Sequence, residues 1–149
     1  MTGDSIFAEL PEKKLQTIYV KKLPGLTDSK ISFVISGLNN ENSALSGEER
    51  YDQISGEDIT LNFENEKINL IEVNKKSRSF YFLFDNGRPD GINKIEGENL
   101  FIYFGDDEKV TRIKVELRPK GEYIPESLLN NTVLTLPGFN LRTDKPVIK

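Results

Sequence analysis

Acidic residues are the most abundant chemistry in this chain: 24 Asp and Glu among 149 residues, against 20 Lys and Arg. Two clusters draw the eye, "ENEK" at residues 64–67 and "GDDEK" at 105–109. A calcium loop needs oxygen ligands at alternating positions, and neither cluster supplies that spacing, so both read as turns. A glycosidase would need two carboxylates set apart by environment, and none stands in an apolar setting that would raise its pKa. His and Cys are absent. That excludes zinc sites built on either, thiol nucleophiles and every His-based triad or general base. The segments "LPGF" and "RPDG" are turn punctuation, and no phosphate loop is present. These residues predict no enzyme, no metal and no cofactor.

The charge balance narrows the partners. A net charge of −4 argues against nucleic acid, which calls for a concentrated basic surface. The basic pairs Lys13-Lys14, Lys21-Lys22 and Lys75-Lys76 are scattered. Pairs of this kind are most often solvated surface, and the functional alternative for Lys21-Lys22 and Lys75-Lys76 is contact with an anion. With 36% hydrophobic and 30% charged residues, the composition is that of a globular domain. No stretch approaches the roughly 20 apolar residues of a membrane-spanning helix. The opening "MTGDSIFAEL" lacks a secretion signal, and Gly3 already lies inside a repeat. This abrupt start predicts a piece cut from a longer protein, with Met1 supplied by cloning.

The elements that would position any site are written as a repeat. Gly3, Gly56 and Gly97 each precede an acidic residue, Asp4, Glu57 or Glu98. Apolar residues then alternate: Ile6, Ala8, Leu10; Ile59, Leu61, Phe63; Leu100, Ile102, Phe104. A polar break follows, then a second alternating run carrying Ile18 and Val20, Ile71 and Val73, or Ile113 and Val115. Period two marks strands with one buried face, so each unit is a β-hairpin. A third strand per unit is expected in "SKISFVIS", "SRSFYFLF" and "PKGEYIPE", with Tyr123 at the place of Tyr81. "DNGRPDG" marks tight turns, and "PESLLNN" allows one helical turn. The units span about residues 2–50, 51–91 and 92–125 of one domain, 1–149, with a C-terminal extension over 126–149.

Single hairpins are unstable in water, so the units must share one core. The expectation is an all-β, elongated, twisted antiparallel sheet folded over on itself, with open edges suited to strand-to-strand assembly. The fifteen inward residues named above form either a closed core or an open apolar trough. Tyr19, Phe101 and Tyr103 fall on the outward parity. In "SFYFLF" both parities are apolar, so a second face needs cover from an opposing sheet, a neighbouring subunit or lipid.

This pattern, with "INKIEGENLFIYFGDDEKVTRIKV" leading into "EYIPESLL" and the ending "LTLPGFNLRTDKP", resembles the OstA/LptA family, in particular its OstA-like members of the Bacteroidetes–Chlorobi lineage. The resemblance is clearest from Tyr51 to Pro125. It departs where the second strands run into "NKKSRS" and "ELRPKG" rather than a Gly-Asn pair, and where the first unit carries a long insertion. It implies a β-jelly roll of the β-taco type in the periplasm. Such a body would carry lipopolysaccharide to the outer membrane, with lipid A acyl chains in the groove and subunits or related proteins joined edge to edge. The alternative is a repetitive β scaffold for protein or glycan contact, with a closed core and no lipid.

Overall fold

The computed structural model describes residues 1–23, 32–35, 51–86, 88–131 and 135–137. The insertion of the first unit and most of the tail therefore lie outside the described residues. Among the described residues there are nine strands: β1 (Ser5–Glu9), β2 (Thr17–Lys21), β3 (Ser32–Ile35), β4 (Gln53–Gly56), β5 (Asp58–Glu64), β6 (Lys67–Asp85), β7 (Arg88–Phe104), β8 (Val110–Glu116) and β9 (Lys120–Pro125). All pairings are antiparallel and belong to one sheet, ordered β1-β2-β5-β6-β4-β3, with β7 pairing β6, β8 and β9. Among the described residues there is no α-helix, and none long and apolar enough to cross a membrane. The sheet is open, neither closed nor curled, so the strand pairing forms one layer where the repeat led us to expect a roll.

The reason is the length of β6 and β7. "INLIEV" and "SRSFYFLF", expected as separate strands, are one 19-residue strand, and β7 runs for 17 residues beside it. One half of β6, up to Asn74, pairs with β5 and with Asn99 to Tyr103 of β7. Its other half, from Ser77, pairs with β4 and with Arg88 to Gly97. The two halves meet at Lys75 and Lys76, both left-handed (φ 64° and 53°), where the register slips by one residue. Such a bulge bends the strand and sharpens its twist.

The hairpins expected from the repeat are present in all three units. Asn65 and Glu66, both at positive φ, make the two-residue turn of β5–β6, a geometry matched to the strands' right-handed twist. In β7–β8 the "GDDEK" turn is closed by Gly105 N donating to Lys109 O and Glu108 N to Gly105 O, both at 2.9 Å. The β1–β2 turn contains Glu12 and Lys13 at positive φ. "PESLLNN" contributes a 3-10 segment, Glu126–Asn131.

Two apolar clusters result among the described residues. One gathers Val20, Ile54, Ile59, Leu61, Ile71, Val73, Leu100 and Ile102. The other joins Phe80, Phe82 and Ile92 to Leu129 and Leu136. The second apolar parity of "SFYFLF" is thus covered by the chain's own C-terminal segment. Leu136 N donates to Gln53 Oε1 at 2.8 Å, which helps hold that segment down.

Candidate functional site

The register places the fifteen inward residues in three rows. Ile6, Val20, Ile59, Val73, Leu100 and Val115 stand directly opposite one another across six strands. Ala8, Ile18, Leu61, Ile71, Ile102 and Ile113 form a second unbroken row beside it. Leu10, just past β1, with Phe63 and Phe104 continues into a third, interrupted by irregularities in β5 and β7. Five inter-strand steps of about 4.8 Å give each full row a length of about 24 Å.

Exposure is graded along and between the rows. Val20, Ile59, Val73 and Leu100 are fully buried, and Leu61, Ile71 and Ile102 are 4% exposed or less. Ile18, Phe63, Phe104, Ile113 and Val115 are half-buried. Ile6, Ala8 and Leu10 are exposed, because β1 is an edge strand and no element among the described residues is laid over it. Over the central strands the rows are therefore buried. The inward burial expected for the first copy is not met at these three positions.

Sequence periodicity missed several members of the same cluster. Ile54 belongs to it, and Val34 and Ile95 pack against it. Along β4–β5 the cluster members are Ile54, then Ile59 and Leu61; along β7 they are Ile95, then Leu100 and Ile102. Inward parity changes at Gly56-Glu57 and again at Gly97-Glu98. A period-two reading cannot carry a file across such a change.

Each change of parity uses the same corner. The backbone N–H groups of Asp4, Glu57 and Glu98 donate to the carbonyls of Lys21, Lys75 and Leu117, each at 3.0 Å. The preceding glycine lies against a row-one valine: a Cβ on Gly3 would meet Val20 Cγ1 at 2.7 Å, and one on Gly56 or Gly97 would meet Val73 or Val115 closer still. Glycine is required here by close approach of the partner strand. After the valine, Lys75-Lys76 and Leu117-Arg118 are left-handed pairs. Their cations reach back to the corner acids, Lys76 to Glu57 at 3.7 Å and Arg118 to Glu98 at 3.8 Å.

The opposite face of the hairpins is polar and aromatic. Phe7 stacks on Tyr19 (6.0 Å between centroids), and Lys21 Nζ lies 5.7 Å from the Tyr19 ring. Phe101 and Tyr103, on the outward parity as expected, are capped by Lys114 and Arg112. Ser5, Phe7, Tyr19 and Lys21 line an open cleft of about 390 Å³ at the β1 edge.

One carboxylate, Asp52, overturns the expectation that none would have its pKa raised by its surroundings. Asp52 accepts a hydrogen bond from Phe82 N at 2.9 Å. Burial pushes its carboxyl up to about 6, although that hydrogen bond pulls the other way. Neighbouring Tyr81 is pushed up to about 12, by burial and then by the Asp52 charge. No second carboxylate joins this pair in a metal-binding group, and among the described residues no cluster could hold a metal ion. No family model, curated protein or solved structure matches the chain.

Proposed function

We infer that this chain is a lipid-carrying module of the OstA/LptA type, which holds the acyl chains of lipopolysaccharide and passes them across the periplasm towards the outer membrane. The observation that carries the reading is the continuity of two apolar rows across six strands, from a buried centre to the exposed Ile6, Ala8 and Leu10 of an edge strand. On this reading the halves of β6 and β7 on either side of the bulge are the walls of a β-taco groove. Its floor is row one, and its mouth lies towards Phe63, Ile68, Phe104 and Val110. A wide apolar strip suits acyl chains, because each buried CH₂ contributes about 0.8 kcal/mol without any directional contact. Continuation of the rows at β1 would be supplied by a second copy or a related protein added edge to edge.

A second reading has its own support. The fully buried centre of row one is what a closed-core scaffold for protein or glycan contact would have. Site-directed photo-crosslinking separates the two. Benzoylphenylalanine replaces Phe63 or Phe104 at the mouth, Ile6 at the edge, and Thr60 on the opposite face, in a Gram-negative host. Lipopolysaccharide adducts at Phe63, Phe104 and Ile6 but not Thr60 are the expected result. Protein adducts alone, with lipid at none of the four, would sink the carrier reading and leave the scaffold.

A further inference from the structure

The corner between the second and third units holds a cleft of about 330 Å³ that the apolar rows do not use. Four cations line it: Lys76 and Arg118, from the two left-handed pairs, and Arg78 and Lys120, from β6 and β9. Glu96 and Glu98 are the acids in the lining, so the cleft carries an excess of positive charge on a chain whose net charge is −4. The arrangement is ordered by the sheet, since Arg78 stands opposite Glu96 and Glu96 opposite Lys120. Ser77 and Gly97 complete the lining, tied together by Ser77 Oγ donating to Gly97 O at 2.7 Å.

Lys76 and Arg118 are available to a ligand. The Lys76–Glu57 and Arg118–Glu98 pairs are long, and the Lys76 and Arg118 side chains are 70% and 88% exposed. Exposed pairs of this kind contribute little to stability, so redirecting them costs little. Two guanidinium groups can grip an oxyanion in bidentate fashion, a geometry that favours phosphate. The interleaved carboxylates accept hydrogen bonds from hydroxyls and repel a continuous polyanion. A cleft of this volume is at the small end of those that enclose small molecules. We propose that it binds a phosphorylated sugar, with the phosphate on Arg78, Arg118, Lys76 and Lys120 and the sugar hydroxyls on Glu96 and Glu98. The inference does not rest on the lipid reading, because a sugar phosphate can be free or can be the headgroup of a lipid.

The test is amide-resolved NMR of the isotopically labelled chain titrated with glucose-1-phosphate, glucose or inorganic phosphate. Saturable shifts centred on Ser77 and Gly97 are expected with glucose-1-phosphate, with affinity about tenfold above that of either fragment. The double substitution Arg78→Gln/Lys120→Gln should weaken binding about tenfold. Arg118→Gln, at a side chain the fold does not enclose, should weaken it in the same direction. Lys13→Gln/Lys14→Gln removes the same charge elsewhere and should leave affinity unchanged. Flotation with phosphatidylcholine vesicles, with and without phosphatidylinositol phosphate, then identifies the source. Flotation that depends on the phosphoinositide and on Arg78 and Lys120 marks a lipid headgroup; soluble binding without flotation marks a free sugar phosphate. Either result upholds the site. Shifts that fail to saturate, inorganic phosphate binding as tightly as the sugar phosphate, or equal weakening by Lys13→Gln/Lys14→Gln would overturn it.

Discussion

Gly56→Ala puts one methyl where the structure has no room for it. Its Cβ would fall inside 3.0 Å of Val73 Cγ1, against the 3.5–4.0 Å of an ordinary carbon contact. Val73 is fully buried between Ile59 and Leu100 in row one, so it cannot step aside. Overpacking of this kind costs about 1–3 kcal/mol. Val73→Ala alone removes two methyls from the core, about 1.6 kcal/mol of transfer energy, and the cavity raises the loss to about 2–3 kcal/mol. In the double variant the new methyl enters the space that Cγ1 vacates. The double variant should therefore be more stable than the sum of the singles by about 1–3 kcal/mol. Urea unfolding followed by far-ultraviolet circular dichroism gives all four free energies, provided the slopes agree. The same substitution at Gly97 should cost less, because Val115 is half-buried on β8 and has freedom to yield. Additivity within about 0.5 kcal/mol would refute the corner packing described above.

Two further outcomes follow from buried polar groups. Asp52 has a native pKa of about 6 against 3.8 unfolded, so the native state holds more protons between those values and stability falls as pH rises through that window. The full shift corresponds to about 3 kcal/mol, which partial solvent access reduces to about 1–2 kcal/mol. Asp52→Asn keeps an acceptor for Phe82 N, and should stabilise by that amount near neutrality and by almost nothing near pH ~4. A difference independent of pH in parallel urea titrations would exclude this. Ser79 Oγ is buried without a hydrogen-bond partner among the described residues, whereas Ser77 Oγ donates to Gly97 O. Ser79→Ala should thus raise stability by about 1 kcal/mol and Ser77→Ala lower it by about as much, a contrast in sign readable from melting temperatures.

The hairpins were legible because a half-buried strand must alternate, and a two-residue break leaves the chain few ways to return. Turn residues such as Asn65 and Asn86 mark those returns in the sequence. The corner was not legible. "VNKKSRS" looks like a loop, since two lysines in a polar run carry no sign that backbone pairing resumes at Ser77. Ile54 and Ile95 escaped for a related reason, as each lies beyond a glycine where the inward parity changes. The cover over Phe80 and Phe82 comes from Leu129 and Leu136, about fifty residues downstream, and no local pattern announces a contact of that separation. Ile6, Ala8 and Leu10 show the converse. Alternation identifies which face a residue shares, but burial depends on whether another element lies over that face.

The corners also make the fold a ruler. Each one changes the inward parity at its glycine, and the hairpin that follows enters the rows in the same phase in every unit. The interval from Gly56 to Gly97 is a complete increment: it begins and ends at equivalent points of the backbone. Adding or removing such an increment would change the rows by two strand spacings, about 9.6 Å, without moving any residue to the other face. Length in this architecture is counted in whole units. Insertions of arbitrary size are accommodated only between the hairpins, where the first unit carries its extra residues.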